Sequence, residues 1–295
     1  VPSWTNATGP AVTADPTRSG LLHPGETVEV AGLRRDAPVS EVLRPFVERY
    51  WSVRWDRTGR PPFRSEVLSH PSVNVSVESG DRPRFGYRLP AVLVHGIVLR
   101  RFTVDLAGTG RVSAVNFRPG GFAAFTGLRP PRGTVAPLGG ELGPDPHDLL
   151  AAVLGPEDDD ERAAVLDAAL APFAPDPPAP YLELLGLLHR MLADRDLVRV
   201  DQVAALGGTS VRSLQRLFAA YVGASPKAVL ARYRLQDAAA LIDAGAVEDL
   251  ARLAADLGWF DQAHFSRDFR AVVGTTPSSY LQRARSSRAG VPAGG

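Results

Sequence analysis

Ser210-Val211-Arg212-Ser213-Leu214-Gln215-Arg216-Leu217-Phe218, closed by Gly223-Ala224-Ser225-Pro226, returns later in the chain as Asp261-Gln262-Ala263-His264-Phe265-Ser266-Arg267-Asp268-Phe269, closed by Gly274-Thr275-Thr276-Pro277. The offset is a constant 51 residues, and ten of the 27 positions between Ala204 and Leu230 are identical across it. Among them are Gly207/Gly258, Arg216/Arg267, Phe218/Phe269, Gly223/Gly274 and Pro226/Pro277. Accident would supply about two or three such matches in so Ala-rich a chain, so the stretch is an internal repeat. Each copy reads as a turn followed by a surface-exposed helix, and two such units predict a protein that grips two neighbouring stretches of duplex DNA.

The residue pattern assigns faces to these helices. In the first copy, Asp201–Leu206 predicts a short helix stopped by Gly207-Gly208, residues able to take the positive φ of a tight turn. Thr209 or Ser210 then caps the next helix. There Leu214, Leu217, Phe218 and Tyr221 recur at the spacing of a buried stripe, leaving Arg212, Gln215, Arg216 and Ala219 on the opposite face. In the second copy Glu248–Leu257 predicts the first helix, Gly258 its stop and Asp261 the next cap. Phe265, Phe269 and Val272 point inward, with Ala263, Ser266, Arg267 and Arg270 outward. Ser225-Pro226 and Thr276-Pro277 each read as a cap plus first-turn proline. A long helix from Pro226 to about Ile242 joins the lobes as a rigid spacer. Such a spacer can hold two recognition helices about 34 Å apart, one turn of DNA, in successive major grooves. Arg pairs bidentately with guanine and Gln with adenine, so the exposed residue types suit base reading.

Gly258-Trp259-Phe260-Asp261-Gln262-Ala263-His264-Phe265-Ser266-Arg267-Asp268-Phe269-Arg270, with Gly274-Thr275-Thr276-Pro277-Ser278-Ser279-Tyr280, resembles the signature of the AraC/XylS family of bacterial transcription regulators. Ser210–Phe218, Gly223–Pro226, and Arg234-Leu235 with Ala238 resemble that family's first motif and linker helix. The resemblance covers about 100 residues, with both halves in order. It implies a seven-helix, two-lobe domain that binds double-stranded DNA and usually activates transcription, often by touching RNA polymerase. By motif position, base-reading roles fall to Arg212, Gln215 and Arg216 in the first lobe and to Gln262, His264 and Arg267 in the second, with Arg270 on the same exposed face. Leu281 departs from the family, which often has Arg there; Arg283 and Arg285 are the candidates to replace that phosphate contact. Each residue also has a local reading. Arg267 could pair with Asp268 or Asp261, and His264 could be a histidine satisfied at its helix start. Arg232 and Arg234 on the spacer suit packing or intra-domain pairing better than DNA, and Trp259 suits the core.

Bulk composition constrains the rest. The 295 residues are 44% hydrophobic and 22% charged, ordinary for a globular protein long enough for two domains. The net charge of +1 conceals an asymmetry: residues 181–295 carry 14 Lys and Arg against 11 Asp and Glu, and residues 1–180 carry 19 against 21. Only one of the 33 basic residues is a lysine, Lys227. Guanidinium suits phosphate and guanine, although a GC-rich genome produces the same bias. There is no cysteine, which removes disulfides, thiol nucleophiles and Cys-ligated zinc and fits a cytoplasmic protein. The first twenty residues do not read as a signal peptide, and no apolar run approaches the ~20 residues that span a bilayer.

Along the chain, residues 1–35 read as a flexible lead-in and 36–171 as a β-rich sensor or dimerisation domain with trailing helices. Residues 172–180 form a Pro-rich linker, 181–286 the DNA-binding domain with two helix-turn-helix motifs, and 287–295 a flexible tail. A short helix is expected around Ser40–Trp51. Val73–Glu78, Phe102–Leu106 and Val112–Phe117 alternate with period two, Ala91–Leu99 is a more continuous apolar run, and Ala107–Gly110 reads as a turn. These strands predict an antiparallel barrel or sandwich. Helices are expected over Pro146–Leu154 and Asp160–Leu170, the acidic run Glu157–Glu161 marking a helix N-terminus. The fold class is therefore α+β in two domains, the first cupin-like and the second all-α. Asn116–Phe122 resembles, briefly, a Pro-Gly-Gly-Phe loop of cupin-like sensor domains attached to some AraC/XylS regulators. Trp51, Trp55, Phe85 and Tyr87, with Phe117 and Phe122, line either a pocket for a small-molecule effector or simply a core. The resemblance also admits a homodimer through this domain. The rival is a metal-dependent cupin-like enzyme fused to a helical interaction module. His23, His70, His95 and His147 are scattered without metal-ligand spacing, so neither a metal, a catalytic residue nor any other cofactor is expected.

Overall fold

The structure, a computed structural model, describes residues 20–28, 30–34 and 37–289. Most of the expected lead-in (1–19) and the end of the expected tail (290–295) lie outside the described residues. The described part of the lead-in holds a short helix α1 (Pro24–Val28) and a strand β1 (Ala31–Arg34). Seven strands follow: β2 (Val47–Arg57), β3 (Phe63–Val67), β4 (Asn74–Gly80), β5 (Ala91–His95), β6 (Phe102–Leu106), β7 (Gly108–Phe117) and β8 (Val135–Pro137), with helix α2 (Gly121–Thr126) after β7. They form a six-stranded antiparallel sheet in the order β1-β2-β7-β4-β5-β8 and a two-stranded sheet β3-β6. Among the described residues the two sheets do not close into a continuous barrel.

Period-two alternation gives the large sheet two different faces. Tyr50, Val75, Val77, Val92, Val94, Val115 and Phe117 point to one side, against helices α3 (Pro146–Leu154) and α4 (Asp159–Leu170), where Leu149, Val153, Leu166 and Leu170 complete the largest core. Arg49, Trp51, Val53, Asn74, Glu78, His95, Val112 and Asn116 point to the other, toward the small sheet. The acidic run does mark a helix start: Asp158 caps α4, accepting from the amides of Asp160 and Glu161. Asp159 also takes a hydrogen bond from Arg111 Nε at 2.9 Å.

Two local expectations fail. The segment read as a helix around Ser40–Trp51 is a run of turns followed by β2. Tyr50, Trp51, Val53 and Trp55 are β-branched or aromatic, and their alternation between the sheet's faces outweighs the short run before them. Ala107–Gly110 does not close a hairpin either. β6 pairs only with β3 and β7 with β2 and β4, so the chain crosses between sheets at Ala107.

Seven helices build the C-terminal domain: α5 (Ala179–Ala193), α6 (Val200–Leu206), α7 (Val211–Tyr221), α8 (Pro226–Asp243), α9 (Leu250–Asp256), α10 (Gln262–Val273) and α11 (Pro277–Ala289). They enclose two cores. Leu184, Leu188, Val203, Leu214, Phe218 and Val229 belong to the first; Leu235, Ile242, Leu253, Trp259, Phe265, Phe269 and Tyr280 belong to the second. Helix α8 contributes to both.

The β domain holds both lobes. Arg232, on α8, donates to the carbonyls of Ser69 (2.9 Å), Val98 (3.3 Å) and Arg100 (3.5 Å). Leu22 and Leu68 enter the second lobe's core, and His23 stacks on Tyr280 with ring centroids 4.1 Å apart. The repeat-equivalent glycines that follow the recognition helices are touched in the same way. At Gly223 (φ +71°) a Cβ would lie 2.8 Å from Pro130 Cγ, and at Gly274 (φ +84°) 2.8 Å from the Arg101 guanidinium. Positive φ favours glycine at both points, and at Gly223 the Pro130 ring leaves no room for a Cβ as well.

Asp237 faces the same junction from α8, 3.4 Å from Arg195. Burial pushes its carboxyl up to about 6, against the pull of Arg195 and of His70 from the β domain. The folded state therefore binds the proton more tightly than the unfolded chain. This group's contribution is greatest below the unfolded pKa of about 4 and is lost as pH rises through 6. Asp237→Asn is expected to gain roughly 2–3 kcal/mol over the wild type near pH 7.5 and to keep only about a third of that advantage near pH 4.5. Urea unfolding at the two pH values measures this; a variant no more stable than the wild type at pH 7.5, or one shifted equally at both pH values, would overturn it.

Candidate nucleic-acid interface and N-terminal cavity

The two turn-plus-helix units are equivalent in space as in sequence. Ser210 caps α7, its hydroxyl accepting from the Ser213 amide at 3.1 Å, and Asp261 caps α10 by accepting from the His264 amide at 2.6 Å. Leu214 and Phe218 on α7, and Phe265 and Phe269 on α10, are fully buried. The inward set is narrower than expected: Leu217, Tyr221 and Val272 are only partly buried, and Val273 is the buried residue at the end of α10. Arg212, Gln215 and Arg216 are exposed on α7, and Gln262, His264, Arg267 and Arg270 on α10. Among the described residues the side chains of Arg212, Arg267 and Arg270 enter no ion pair or hydrogen bond, and Arg216 reaches only Ser213 Oγ at 3.5 Å. The local partners considered for Arg267 are engaged elsewhere. Asp261 is the cap, and Asp268 accepts from Trp259 Nε1 at 2.9 Å and lies 3.3 Å from His264 Nε2.

The neighbouring residues are structural. Trp259 is buried under Arg234, whose guanidinium lies 3.8 Å from the ring centroid and donates to the Leu257 carbonyl at 2.6 Å. Leu281 packs into the second core. Arg283, a candidate phosphate contact, is bound to Glu26 (2.7 Å) and Glu66 (2.9 Å) instead, leaving Arg285 exposed. Phe260, passed over in the sequence, is 93% exposed directly before the Asp261 cap. Its signal was legible, since the first copy has Thr209 at the equivalent position.

A cavity of about 300 Å³ lies between the two sheets of the β domain. Of the four aromatics singled out, Trp51 and Phe85 line it. Trp55 and Tyr87 do not: Trp55 is packed with Leu106 and Val112 and donates to the Ala107 carbonyl at 3.1 Å, while Tyr87 donates to the Val135 carbonyl at 3.3 Å. Phe117 and Phe122 belong to the helix-covered core.

The sequence reading missed the cavity's polar wall. Glu78, only 1% exposed, accepts from Ser76 Oγ at 2.8 Å and lies 3.2 Å from His95 Nε2 and 3.1 Å from Arg84 Nε. Burial raises its pKa, but the hydrogen bond with His95 and the charge of Arg84 outweigh burial and hold the carboxyl below its ordinary value. Burial lowers the pKa of Arg84. Further round, Trp51 Nε1 donates to Asn74 Oδ1 at 3.0 Å, and Arg49 lies 3.7 Å from Glu48. Among the described residues no group of three or more His, Cys, Asp or Glu side chains is placed to hold a metal ion.

Residues 203–283 match a helix-turn-helix domain family of the AraC type. The chain belongs, through this domain, to the AraC/XylS family. It is a DNA-binding transcription regulator. Residues 36–132 match a domain of unknown function, DUF6597. No curated protein matches the chain. Among solved structures, it is similar to a probable AraC family transcriptional regulator from Rhodopseudomonas palustris, with 32% identity over 35% of this chain and 97% of that one, and a TM-score of 0.32. It is similar to the DNA-binding domain of AdpA, a global transcriptional factor solved with a target DNA, with 20% identity over 38% and 97% and a TM-score of 0.33. ToxT from Vibrio cholerae is similar at 10% identity over 85% and 97%, with a TM-score of 0.40. No helix among the described residues is long and apolar enough to cross a membrane.

Because each AraC-type recognition helix starts on a side-chain cap, Ser210→Ala and Asp261→Ala are each expected to lower stability by about 1 kcal/mol. Thermal unfolding tests this, with Ser210→Asp expected to retain the wild-type value.

Proposed function

We propose that the two recognition helices read a non-palindromic site. Arg212, Gln215 and Arg216 would contact bases in one half and Gln262, His264 and Arg267 in the other, with Arg270 beside them. The observation that carries this reading is the pair of side-chain-capped helices, one per repeat, presenting arginines left without ion-pair partners. A guanidinium held on a helix face and free of protein partners suits guanine or phosphate. Arg216→Ala and Arg267→Ala are each expected to weaken specific binding by ~1–3 kcal/mol. Binding of the preferred site at wild-type strength by both variants would remove the assignment.

The regulator acts in the cytoplasm as an activator that touches RNA polymerase, a reading supported by the family resemblance. Its control comes from a small-molecule effector in the cavity between the sheets. Ser69 and Val98 support this part: both line the cavity, and both offer their carbonyls to Arg232 on the helix joining the lobes. A molecule that shifts the cavity wall would therefore press on the spacer that sets the distance between recognition helices. Selection of genomic DNA fragments by the purified chain, with and without candidate metabolites, tests both parts. A consensus of two unlike half-sites about one turn apart is expected, with a recovery that changes with one metabolite class. No consensus sinks the DNA reading, and a consensus indifferent to every metabolite sinks the effector reading.

A further inference from the structure

Among the described residues, the polar wall of the cavity holds two charged side chains with buried atoms that lack hydrogen-bond partners. Arg84 is stacked between two rings, its guanidinium 4.8 Å from the Trp55 centroid and 5.4 Å from that of Phe85. Its Nε and Nη1 are buried without a hydrogen-bond partner, and so is Glu78 Oε2, although Nε and Oε2 lie 3.1 Å apart. The two groups touch as charges without forming an aligned hydrogen bond. Buried donors and acceptors are rarely left open, and each such group calls for a partner.

The backbone here is strained toward the same spot. Phe85 has φ +52°, an uncommon conformation for a bulky residue. It sets its ring against His95, 5.1 Å between centroids, and beside Phe102 at 5.8 Å. The opposite walls are largely apolar: Trp51, Val53, Val104, Leu106 and Val112.

Charge at this wall is already matched. Glu78 faces Arg84, and Arg49 faces Glu48 at 3.7 Å. A ligand with a charged head would bring in a third, uncompensated charge, costly away from water. What the wall lacks is one donor for Glu78 Oε2 and one acceptor for Arg84 Nη1, on two side chains that approach to 3.1 Å.

Building on the effector reading above, we propose that this cavity takes a neutral aromatic molecule carrying a hydrogen-bond donor and acceptor on neighbouring atoms, as in a lactam or primary carboxamide, with Glu78 and Arg84 reading the pair. Three probes of one size separate the possibilities by calorimetric titration of the full chain: 2-naphthamide, 2-acetylnaphthalene and 2-naphthoate. The amide is expected to bind at least about tenfold more tightly than the ketone or the carboxylate, the scale of one good hydrogen bond. Glu78→Gln leaves the arginine charge unmatched and should make naphthoate the tightest of the three. Val104→Trp, which fills the cavity from β6, should abolish all binding and so place the site. Thermal unfolding confirms that each variant is folded; if Glu78→Gln is not, Arg84→Met replaces it and should erase the amide's preference. Equal affinities, or naphthoate tightest on the wild type, overturn the ligand class while leaving the cavity a binding site. Failure of all three probes also overturns the class, whereas the effector reading stands or falls separately on the metabolite-dependent DNA selection.

Discussion

Arg232 lies in the middle of the spacer helix with 2% of its surface exposed, and burial lowers its pKa only to about 10, so it stays charged in the interior. A buried cation is tolerable only where oxygen atoms surround it. Three backbone carbonyls of the β domain, from Ser69, Val98 and Arg100, meet its Nε and Nη2, while Nη1 is left without a partner among the described residues. Neither side can withdraw without leaving a charge or several carbonyls in need of water. The same helix supplies Val229 and Leu230 to the first lobe's core and Leu235, Ala238 and Ile242 to the second's. Fixing this one helix against the β domain therefore fixes both recognition helices with it.

The contacts at the helix ends reinforce that arrangement. Gly223 and Gly274 occupy equivalent points in the two repeats, and the β domain presses on both, through Pro130 and Ile97 at one and Arg101 at the other. Glu66 gathers Arg101 and Arg283, linking β3 to the last helix. The domain that carries the cavity is thus packed against the parts of the DNA-binding domain that set its geometry, and Ser69 and Val98 belong to both the cavity wall and the Arg232 socket.

Most of the C-terminal domain was legible because helix and turn chemistry are local. The caps Ser210 and Asp261, the stops at Gly207 and Gly258 and the exposed faces of α7 and α10 all follow from spacing within a dozen residues. The N-terminal domain was only half legible. Alternation in Val73–Glu78 indicated a half-buried strand, and Val73, Val75 and Val77 do lie in the core, but it could not say what the polar face meets. That face meets a buried cavity, with Ser76 and Glu78 each 1% exposed. Arg84 joins Glu78 from a loop and His95 from the next strand, pairings set by sheet order and invisible to a local pattern. Trp55 shows the same limit: it shares the inward parity of Trp51 but is covered by Leu106 of the second sheet.

The near absence of lysine has a practical side. Lys227 is the chain's one lysine, and it stands exposed in the first turn of the spacer helix, one of the few positions there not claimed by a core or by the β domain. Apart from the terminal amine, an amine-reactive dye therefore finds a single side chain to modify, located at the first-lobe end of the spacer helix. The molecule comes with its own labelling site, where a spectroscopic probe can watch the spacer helix without any residue being replaced.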